Sequence, residues 1–406
     1  MRKIRVINLV VRAALFVTIL SVGTLAALVS GETPGLALSD LSGASVQSVA
    51  TAANGEVLYA ALVGGPQPTG IYRTDDGGLT WQIVSSGPGV AVNALAVHPA
   101  NDTVLYAGTA GGPSATTHSL WRSTNAGTTW HSFTLSLPAD PYGMIPTVTA
   151  LATDRNQPGV LYVGTDGQGV YRFDEGRNSY ELVGGIALYN AHVTGLVAGP
   201  DSRLYALTSD GLFATDGNAW QKLDTLPELA VSLAVAPSDP QILYGGGSST
   251  GAFRSTDGGR TWEQRGSGLD MIPGAALRVT AIAVDEQDPN RVVLGTAYGL
   301  GSQLARGGVY ESRNAGANWV KLADADNVVT SLTLHQDVVY AATSSGLARY
   351  GATAAPAPVN LPAPDLDKLA DPTGVQVLIL VLTLALAGLV LVGRAEWIPG
   401  RGQATA

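Results

Sequence analysis

Acidic and amide side chains recur at one position of a repeated segment, and carboxylates are the residues of general acid–base chemistry. In each copy a hydroxyl residue lies two positions before the Asp or Asn, and a Trp lies five positions after it. The four best-preserved copies contain Asp76 and Trp81, Asn125 and Trp130, Asp257 and Trp262, and Asn314 and Trp319. Asn cannot accept a proton, and a catalytic group is needed once rather than in every copy. The pattern therefore favours a structural turn, in which the Asx oxygen accepts turn N–H groups, a Gly takes a positive φ and the Trp packs between units.

Two further carboxylates, Asp140 and Asp270, lie in long connections, and a Met-Ile-Pro segment follows each of them. A glycosidase uses two carboxylates roughly 5–10 Å apart, so Asp140 and Asp270 are the candidate catalytic pair if the chain is an enzyme. The sequence contains no phosphate-binding loop, dinucleotide motif or Gly-x-Ser-x-Gly segment, and its five His residues lack metal-ligand spacing. We therefore expect no metal and no cofactor, and the enzyme question stays open with a preference for a non-catalytic protein.

The same connections carry aromatic, Met and Arg side chains, which are typical anchors of binding interfaces. The longest connections span residues 111–118, 135–147, 265–278 and 297–308. In a stack of four-stranded units, such connections gather on one face. We expect a binding face for a protein or glycan there, with these candidate residues: Tyr142, Met144, Met271, Tyr298 and Arg306.

Short strands must position these residues, since alternating apolar stretches separated by Gly, Asp and Pro predict strands and tight turns. The second strand of each unit has a Tyr at a fixed position, and Val293 replaces it in the sixth unit. These positions are Tyr59, Tyr106, Tyr162, Tyr205, Tyr244, Val293 and Tyr340. Their spacing of 39 to 56 residues, with four strands per unit, predicts an all-β, seven-bladed β-propeller over residues 32–350. Residues 36–42 are expected to complete the last blade as its fourth strand.

A repeated Arg precedes the turn, at Arg73, Arg122, Arg172 and Arg254. Because it recurs with the repeat, we interpret it as structural; the alternative is a basic stripe on the propeller.

The repeated turn resembles the Asp box of the BNR-repeat propellers. That superfamily includes sialidases, xyloglucan-cleaving glycoside hydrolases, the sortilin ectodomain and the photosystem II stability/assembly factor. The resemblance covers roughly residues 36–350 and is specific for the fold rather than for a function. Seven blades and the absence of Cys argue against the sortilin branch. The arginine triad and early Arg-Ile-Pro motif of sialidases are also absent from the sequence.

Hydrophobic segments flank the propeller and predict a helix at each end. Residues 1–31 are interpreted as a signal peptide or N-terminal membrane anchor. Residues 374–393 are apolar enough to span a hydrocarbon core of about 30 Å as a transmembrane helix. Residues 351–373 form a Pro/Ala-rich stalk, and residues 394–406 a cytoplasmic tail with Arg394 and Arg401. The positive-inside rule then places the propeller outside the cell membrane and the C-terminus in the cytoplasm.

The charge balance excludes one class of partner. The net charge is −9 and no basic cluster lies within the propeller, so nucleic acid is not expected as a partner. The leading hypothesis is a membrane-tethered, extracytoplasmic propeller that binds a protein or glycan in an adaptor or assembly role without catalysis. The alternative is a surface glycoside hydrolase of the sialidase or xyloglucanase type.

Overall fold

The structure is a computed structural model that describes residues 36–350 except 38–40, 42, 53–54, 114–116, 134–136, 218, 224, 302 and 336. The signal peptide or anchor, the stalk, the transmembrane helix and the tail that the sequence predicts lie outside the described residues. Every regular element within those residues is a β-strand. The described residues contain no helix that is long and apolar enough to cross a membrane.

Seven antiparallel sheets of three to five strands follow one another along the chain, which confirms the predicted seven-bladed propeller. The first three blades comprise β2–β5 (Ser45–Thr51, Leu58–Val63, Gly70–Thr74, Thr80–Ser85), β6, β7, β9 and β10 (Val92–His98, Asn101–Thr109, Leu120–Ser123, His131–Ser132), and β12–β15 (Val148–Asp154, Gln157–Thr165, Val170–Asp174, Ser179–Leu182). The next two comprise β16–β19 (Val193–Ala198, Leu204–Thr208, Gly211–Thr215, Trp220–Lys222) and β20–β23 (Ala230–Ala236, Asp239–Gly247, Ala252–Ser255, Glu263–Gln264). The last two comprise β24–β27 (Ala276–Val284, Val292–Leu300, Gln303–Ser312, Val320–Asp324) and β28–β30 (Val329–His335, Val338–Thr343, Gly346–Tyr350).

The repeated Tyr and the repeated Arg are partners across neighbouring strands. The pairs Tyr59 with Arg73, Tyr106 with Arg122, Tyr162 with Arg172, Tyr244 with Arg254 and Tyr340 with Arg349 lie directly opposite each other in the second and third strands. In two of them the guanidinium carbon lies 5.9 Å from the centre of the Tyr ring. Directly opposite side chains in antiparallel strands are in contact. The contact between Tyr and Arg therefore explains why both residues recur in the repeat.

The Tyr hydroxyls also join each blade to the next. Tyr59 donates to the backbone oxygen of Asp102 at 2.9 Å, and Tyr244 donates to that of Pro289 at 2.8 Å. Tyr106 donates to a carboxylate oxygen of Glu175 at 2.5 Å. Each acceptor lies in the following blade. A Tyr buried in one blade therefore helps to fix the position of the next blade.

The Asp-box side chains are hydrogen-bonded within their own turns. Asp257 Oδ1 accepts the Ser255 hydroxyl at 2.8 Å and the Thr261 N–H at 2.9 Å, and Oδ2 accepts the Thr261 hydroxyl at 2.6 Å. Asn125 makes the equivalent contacts, with Oδ1 accepting the Thr129 N–H at 2.9 Å and Nδ2 donating to the Thr129 hydroxyl at 2.9 Å. An amide can therefore replace the carboxylate by reversing the direction of one hydrogen bond.

We expect Asp257→Asn to lower the free energy of unfolding by less than about 0.5 kcal/mol, whereas Asp257→Ala should lower it by about 1–2 kcal/mol because three donors lose their acceptor. Partial burial raises the pKa of Asp257, but hydrogen bonds from the Thr261 side chain and backbone outweigh it and lower the pKa to about 2. A carboxylate with a depressed folded-state pKa stabilises the fold above its unfolded pKa and loses that effect as the pH falls. Urea unfolding between pH 5 and pH 2 should show this loss in the wild type and not in Asp257→Asn. Equal destabilisation by Asn and Ala would contradict this account of the turn.

The ring closes differently from the sequence prediction. Leu36–Ala37 (β1) pairs with β5, opposite Trp81 and Thr80, and so extends the first blade rather than completing the seventh. The edge strand β5 offers unpaired N–H and C=O groups to such a short strand. Within the described residues the seventh blade has three strands, and it is joined to the first by side-chain packing and by hydrogen bonds, among them one from the Gly43 N–H to the Ser345 backbone oxygen at 2.6 Å. Tyr340 donates to the backbone oxygen of Gly77, and a Cβ on Gly78 would lie 2.5 Å from the Tyr340 ring, so this contact requires Gly.

Candidate functional site

Because consecutive strands are antiparallel, the connections between them lie alternately on the two faces of the propeller. The Asp-box turns share one face with the connections between first and second strands. The connections between second and third strands and those between blades share the other face, which we call the long-loop face. The first strands contact one another in cyclic order around the ring, so each connection on this face has a fixed neighbour on either side.

A concave site lies on the long-loop face between the second and fourth blades. It has a volume of about 680 Å³ and is lined by three tyrosines, Tyr142, Tyr171 and Tyr189, together with Met144, Leu182 and several polar residues. We call it the tyrosine groove. Its volume falls within the roughly 300–1,000 Å³ of ligand pockets in proteins.

One wall of the groove is the connection between the second and third blades. Met144–Ile145 (β11) pairs with Gly112–Pro113 (β8), which holds this connection against a hairpin of the second blade. A Cβ on Gly111 would lie 2.2 Å from the backbone oxygen of Ile145, so the close approach of these two segments requires Gly. Residues 144–145 of this connection are therefore part of the sheet framework.

A tight turn at the end of this wall presents Tyr142. Asp140 Oδ1 accepts the N–H groups of Tyr142 at 2.9 Å and Met144 at 2.8 Å, and the Gly143 N–H is bonded to the Asp140 backbone oxygen at 2.9 Å. The Tyr142 side chain is 90% exposed. An aromatic ring held in water by an ordered turn is a pre-formed contact for a partner, because little further ordering accompanies binding.

The opposite wall is the connection between the third and fourth blades. Leu188 is fully buried and anchors this connection, whereas Tyr189 next to it is 69% exposed. His192 Nδ1 contacts Asp166 Oδ1, and the two residues also form a backbone bridge. This connection, residues 183–192, was not among the long connections predicted from the sequence. The sequence offers one signal for a turn here, Tyr189 followed by Asn190. In the structure Asn190 takes a φ of 58°.

The floor of the groove is formed by Tyr171, which is buried and donates its hydroxyl to Gln168 Oε1 at 3.0 Å. Burial raises the pKa of Tyr171, so its hydroxyl stays protonated at neutral pH. The charged residues that line the groove are Asp140 and Asp166, and no Lys or Arg lines it among the described residues. The groove is thus aromatic and apolar with a negative edge.

A second depression, of about 530 Å³, lies at the sixth blade. Asp270, Met271, Tyr298 and Arg306 line it together with Lys321. Lys321 Nζ lies 2.9 Å from Asp270 Oδ2 and also contacts Asp324. The hydrogen bond from Lys321 is the main reason that the pKa of Asp270 is lowered. An acid held ionised in this way is poorly suited to protonate a leaving group.

Tyr298 differs from the expectation that it is a binding anchor. Residues 297–308 were expected to form a loop, but β25 continues to Leu300 and pairs with β26 from Gln303 onward. Tyr298 therefore lies within a strand, where it is 7% exposed and donates its hydroxyl to the backbone oxygen of Asp270 at 3.0 Å. Its role in the structure is to hold the 270–272 segment, and Met271 and Arg306 remain exposed beside it.

The structure brings the candidate residues together in two groups rather than one. Asp140, Tyr142 and Met144 line the tyrosine groove, whereas Asp270, Met271 and Arg306 line the depression at the sixth blade. Asp140 precedes the third blade and Asp270 precedes the sixth, so three blades separate them in one direction around the ring and four in the other. The two carboxylates therefore line different pockets.

Comparisons with known proteins agree with the repeat. A family model described as the BNR/Asp-box repeat matches residues 253–264, which include Asp257 and Trp262. A xyloglucanase of Paenibacillus sp is 28% identical over 260 residues, and the match covers 52% of this chain. The match spans 24% of that relative, about a quarter of its length.

Solved propellers have the same fold at low sequence identity. A structure of YCF48 bound to D1 peptide superimposes with a TM-score of 0.54 at 15% identity, covering 79% of this chain and 96% of that one. YCF48 from Cyanidioschyzon merolae gives a TM-score of 0.53 at 14% identity, with coverages of 76% and 96%. The chain is thus a seven-bladed β-propeller, and its repeated turn matches the BNR/Asp-box repeat.

Proposed function

We propose that this propeller is a non-catalytic binding module and that it captures a protein partner in the tyrosine groove. The observation that carries the proposal is the pair of exposed tyrosines, Tyr142 and Tyr189, on opposite walls of one concave site. Exposed aromatic side chains beside Met144 and Leu182 have the composition of an interface centre, in which Tyr and Met are enriched. A polar margin of Asp140, Asp166 and Asn190 can orient a ligand by hydrogen bonds.

The proposal includes tethering to the cell membrane, on the basis of the apolar segment 374–393 and the Pro-rich segment 351–373. A stalk of this composition extends by about 3.1 Å per residue and would hold the groove away from the bilayer. Protease added to intact cells should digest the propeller and spare residues 394–406. Protection of the whole propeller would rule out the extracytoplasmic arrangement.

A glycoside hydrolase is the second candidate, and the xyloglucanase relative favours it. The separation of Asp140 from Asp270 in two pockets weakens that candidate, since hydrolysis requires two carboxylates on either side of one bond. Xyloglucan hydrolysis by the wild type that disappears in the Asp140→Asn, Asp270→Asn double variant would establish the hydrolase instead.

Replacing Tyr142 and Tyr189 together by Ala is expected to weaken capture of the partner by at least about 2 kcal/mol, because both rings supply contact area at the centre of the site. The measurement is a pull-down from native membranes with the full chain, followed by a binding isotherm for the recovered protein. The melting temperature should stay unchanged, since both side chains are exposed. Val320→Ala, at an exposed position on the outer strand of the sixth blade, is the matched control. Undiminished capture by the double variant would overturn the proposal.

A further inference from the structure

The charge of the tyrosine groove restricts the chemistry of its partner. Asp140 Oδ1 is committed to the N–H groups of its own turn, and Asp166 Oδ1 contacts His192. Among the described residues, the second oxygen of each carboxylate accepts no hydrogen bond from the protein. Two carboxylate oxygens are therefore available at the edge of the tyrosine groove.

No Lys or Arg of the described part of the chain lines this site to balance the two carboxylates. An anionic ligand, such as an acidic sugar or an acidic peptide, would bring like charge into the groove and lose binding energy. A cationic group would be attracted by both carboxylates and could donate hydrogen bonds to their free oxygens. In proteins that group is the side chain of Lys or Arg.

The walls of the groove favour an extended polypeptide over a compact one. Three prolines, Pro138, Pro141 and Pro146, line it together with Tyr142, Tyr171 and Tyr189. Grooves lined by aromatic residues are a common docking site for extended, Pro-rich segments, which lose little conformational entropy on binding. The rings can accommodate the apolar residues of such a segment while a basic side chain reaches the carboxylates.

Building on the proposed function, we propose that the partner presents an extended, apolar or Pro-rich segment with a Lys or Arg, and that this basic side chain is bound by Asp140 and Asp166. The aromatic walls supply affinity for the segment, and the carboxylates supply its charge selectivity. Electrostatic attraction of this kind weakens with ionic strength because mobile ions screen partly exposed charges.

The test uses three fluorescein-labelled peptides of nine residues, built from alternating Pro and Leu, that differ only in a central Lys, Gln or Glu. Fluorescence anisotropy with the full-length chain in detergent at pH 8 and low salt should rank the dissociation constants Lys below Gln below Glu. We expect at least about a tenfold difference between Lys and Glu, since two carboxylates act on one charge. Added NaCl should reduce the difference.

Variants test the charge selectivity of the carboxylates and the affinity of the aromatic walls separately. Asp140→Asn with Asp166→Asn keeps an acceptor oxygen at both positions and should bring the three dissociation constants to within about twofold of each other. Asp326→Asn, an exposed carboxylate in the connection between the sixth and seventh blades, should leave the ranking intact. The Tyr142→Ala, Tyr189→Ala variant should weaken all three peptides.

The outcomes distinguish this inference from the proposed function. Equal binding of the three peptides by the wild type, or a Lys preference that survives the double Asn variant, would overturn it. Binding of a neutral xyloglucan oligosaccharide and of none of the peptides would overturn it as well. If the charge selectivity fails but the Tyr142→Ala, Tyr189→Ala variant still captures less partner, the groove remains the binding site. If that variant captures the partner as well as the wild type, both proposals are overturned.

Discussion

Trp81→Ala is expected to lower the free energy of unfolding by about 3–5 kcal/mol, the usual cost of removing a large buried aromatic side chain. Trp81 is fully buried in a cluster that joins the first blade to the seventh through Tyr72, Tyr340 and Leu347. The ring closes through this cluster, and the described part of the seventh blade contributes three strands. The cavity would therefore lie at the point where the ring depends most on packing. Urea unfolding of the wild type and variant measures the effect.

The matched control is Trp262→Ala, which removes the same side chain from the Asp box of the fifth blade. Trp262 is only half-buried, and its Nε1 donates to the backbone oxygen of Gly259 at 3.1 Å. The loss of stability should be smaller than for Trp81, because less apolar surface returns to water. An equal or larger loss for Trp262 would contradict the assignment of ring closure to the Trp81 cluster.

Arg291→Met is expected to destabilise the protein by about 3 kcal/mol or more, because it removes the cation from a buried charge network. Arg291 is 7% exposed, and its guanidinium lies 3.0 Å from Asp285 and 2.8 Å from Glu311. Asp337 of the seventh blade lies 3.5 Å away. Without Arg291, the largely buried Asp285 would lose its ion pair, and the largely buried Glu311 would keep only the exposed Arg313, 3.1 Å away. Chemical unfolding at pH 7 measures the change.

Arg155→Met is the control for Arg291→Met. Arg155 forms an exposed ion pair with Glu286 at 3.2 Å, and exposed pairs contribute less than about 1 kcal/mol. A similar loss of unfolding free energy in both variants would mean that the burial of Arg291 is not the reason for its contribution to stability.

The pH dependence of the Arg291 effect has a definite sign. Burial alone would raise the pKa of Asp285, but the N–H groups of Gln287 and Asp288 and the Arg291 side chain hold it below 3.8. The contribution of Asp285 is therefore present above that pH and is lost as the pH falls. The stability difference between the wild type and Arg291→Met should shrink between pH 5 and pH 3.

The repeated features could be predicted from sequence because each recurs in several blades. A single Asp with a nearby Trp has little meaning, whereas Asx and Trp at one spacing in four copies indicate a turn. The structural interpretation of the repeated Arg rested on the same reasoning, and the contact with the neighbouring Tyr supplies its physical basis.

The binding site could not be predicted in the same way, because each of its residues occurs once. Tyr142 and Tyr189 belong to different connections and meet only because consecutive blades pack side by side. Tyr298 was misplaced because β26 is longer than the third strand of every other blade, and sequence periodicity does not locate the end of a hairpin. The pairing of Leu36–Ala37 was misplaced because a two-residue strand has no side-chain pattern that selects one sheet edge over another.

Amide hydrogen exchange of the full-length chain, with and without the partner captured from membranes, tests most directly whether the tyrosine groove is the binding site. Binding in the groove predicts slower exchange in residues 138–147 and 184–192, the two connections that form its walls. The Asp-box turns on the opposite face should exchange at the same rate in both samples. Slower exchange confined to the Asp-box turns, or to residues 270–272 at the sixth blade, would contradict the assignment of the groove.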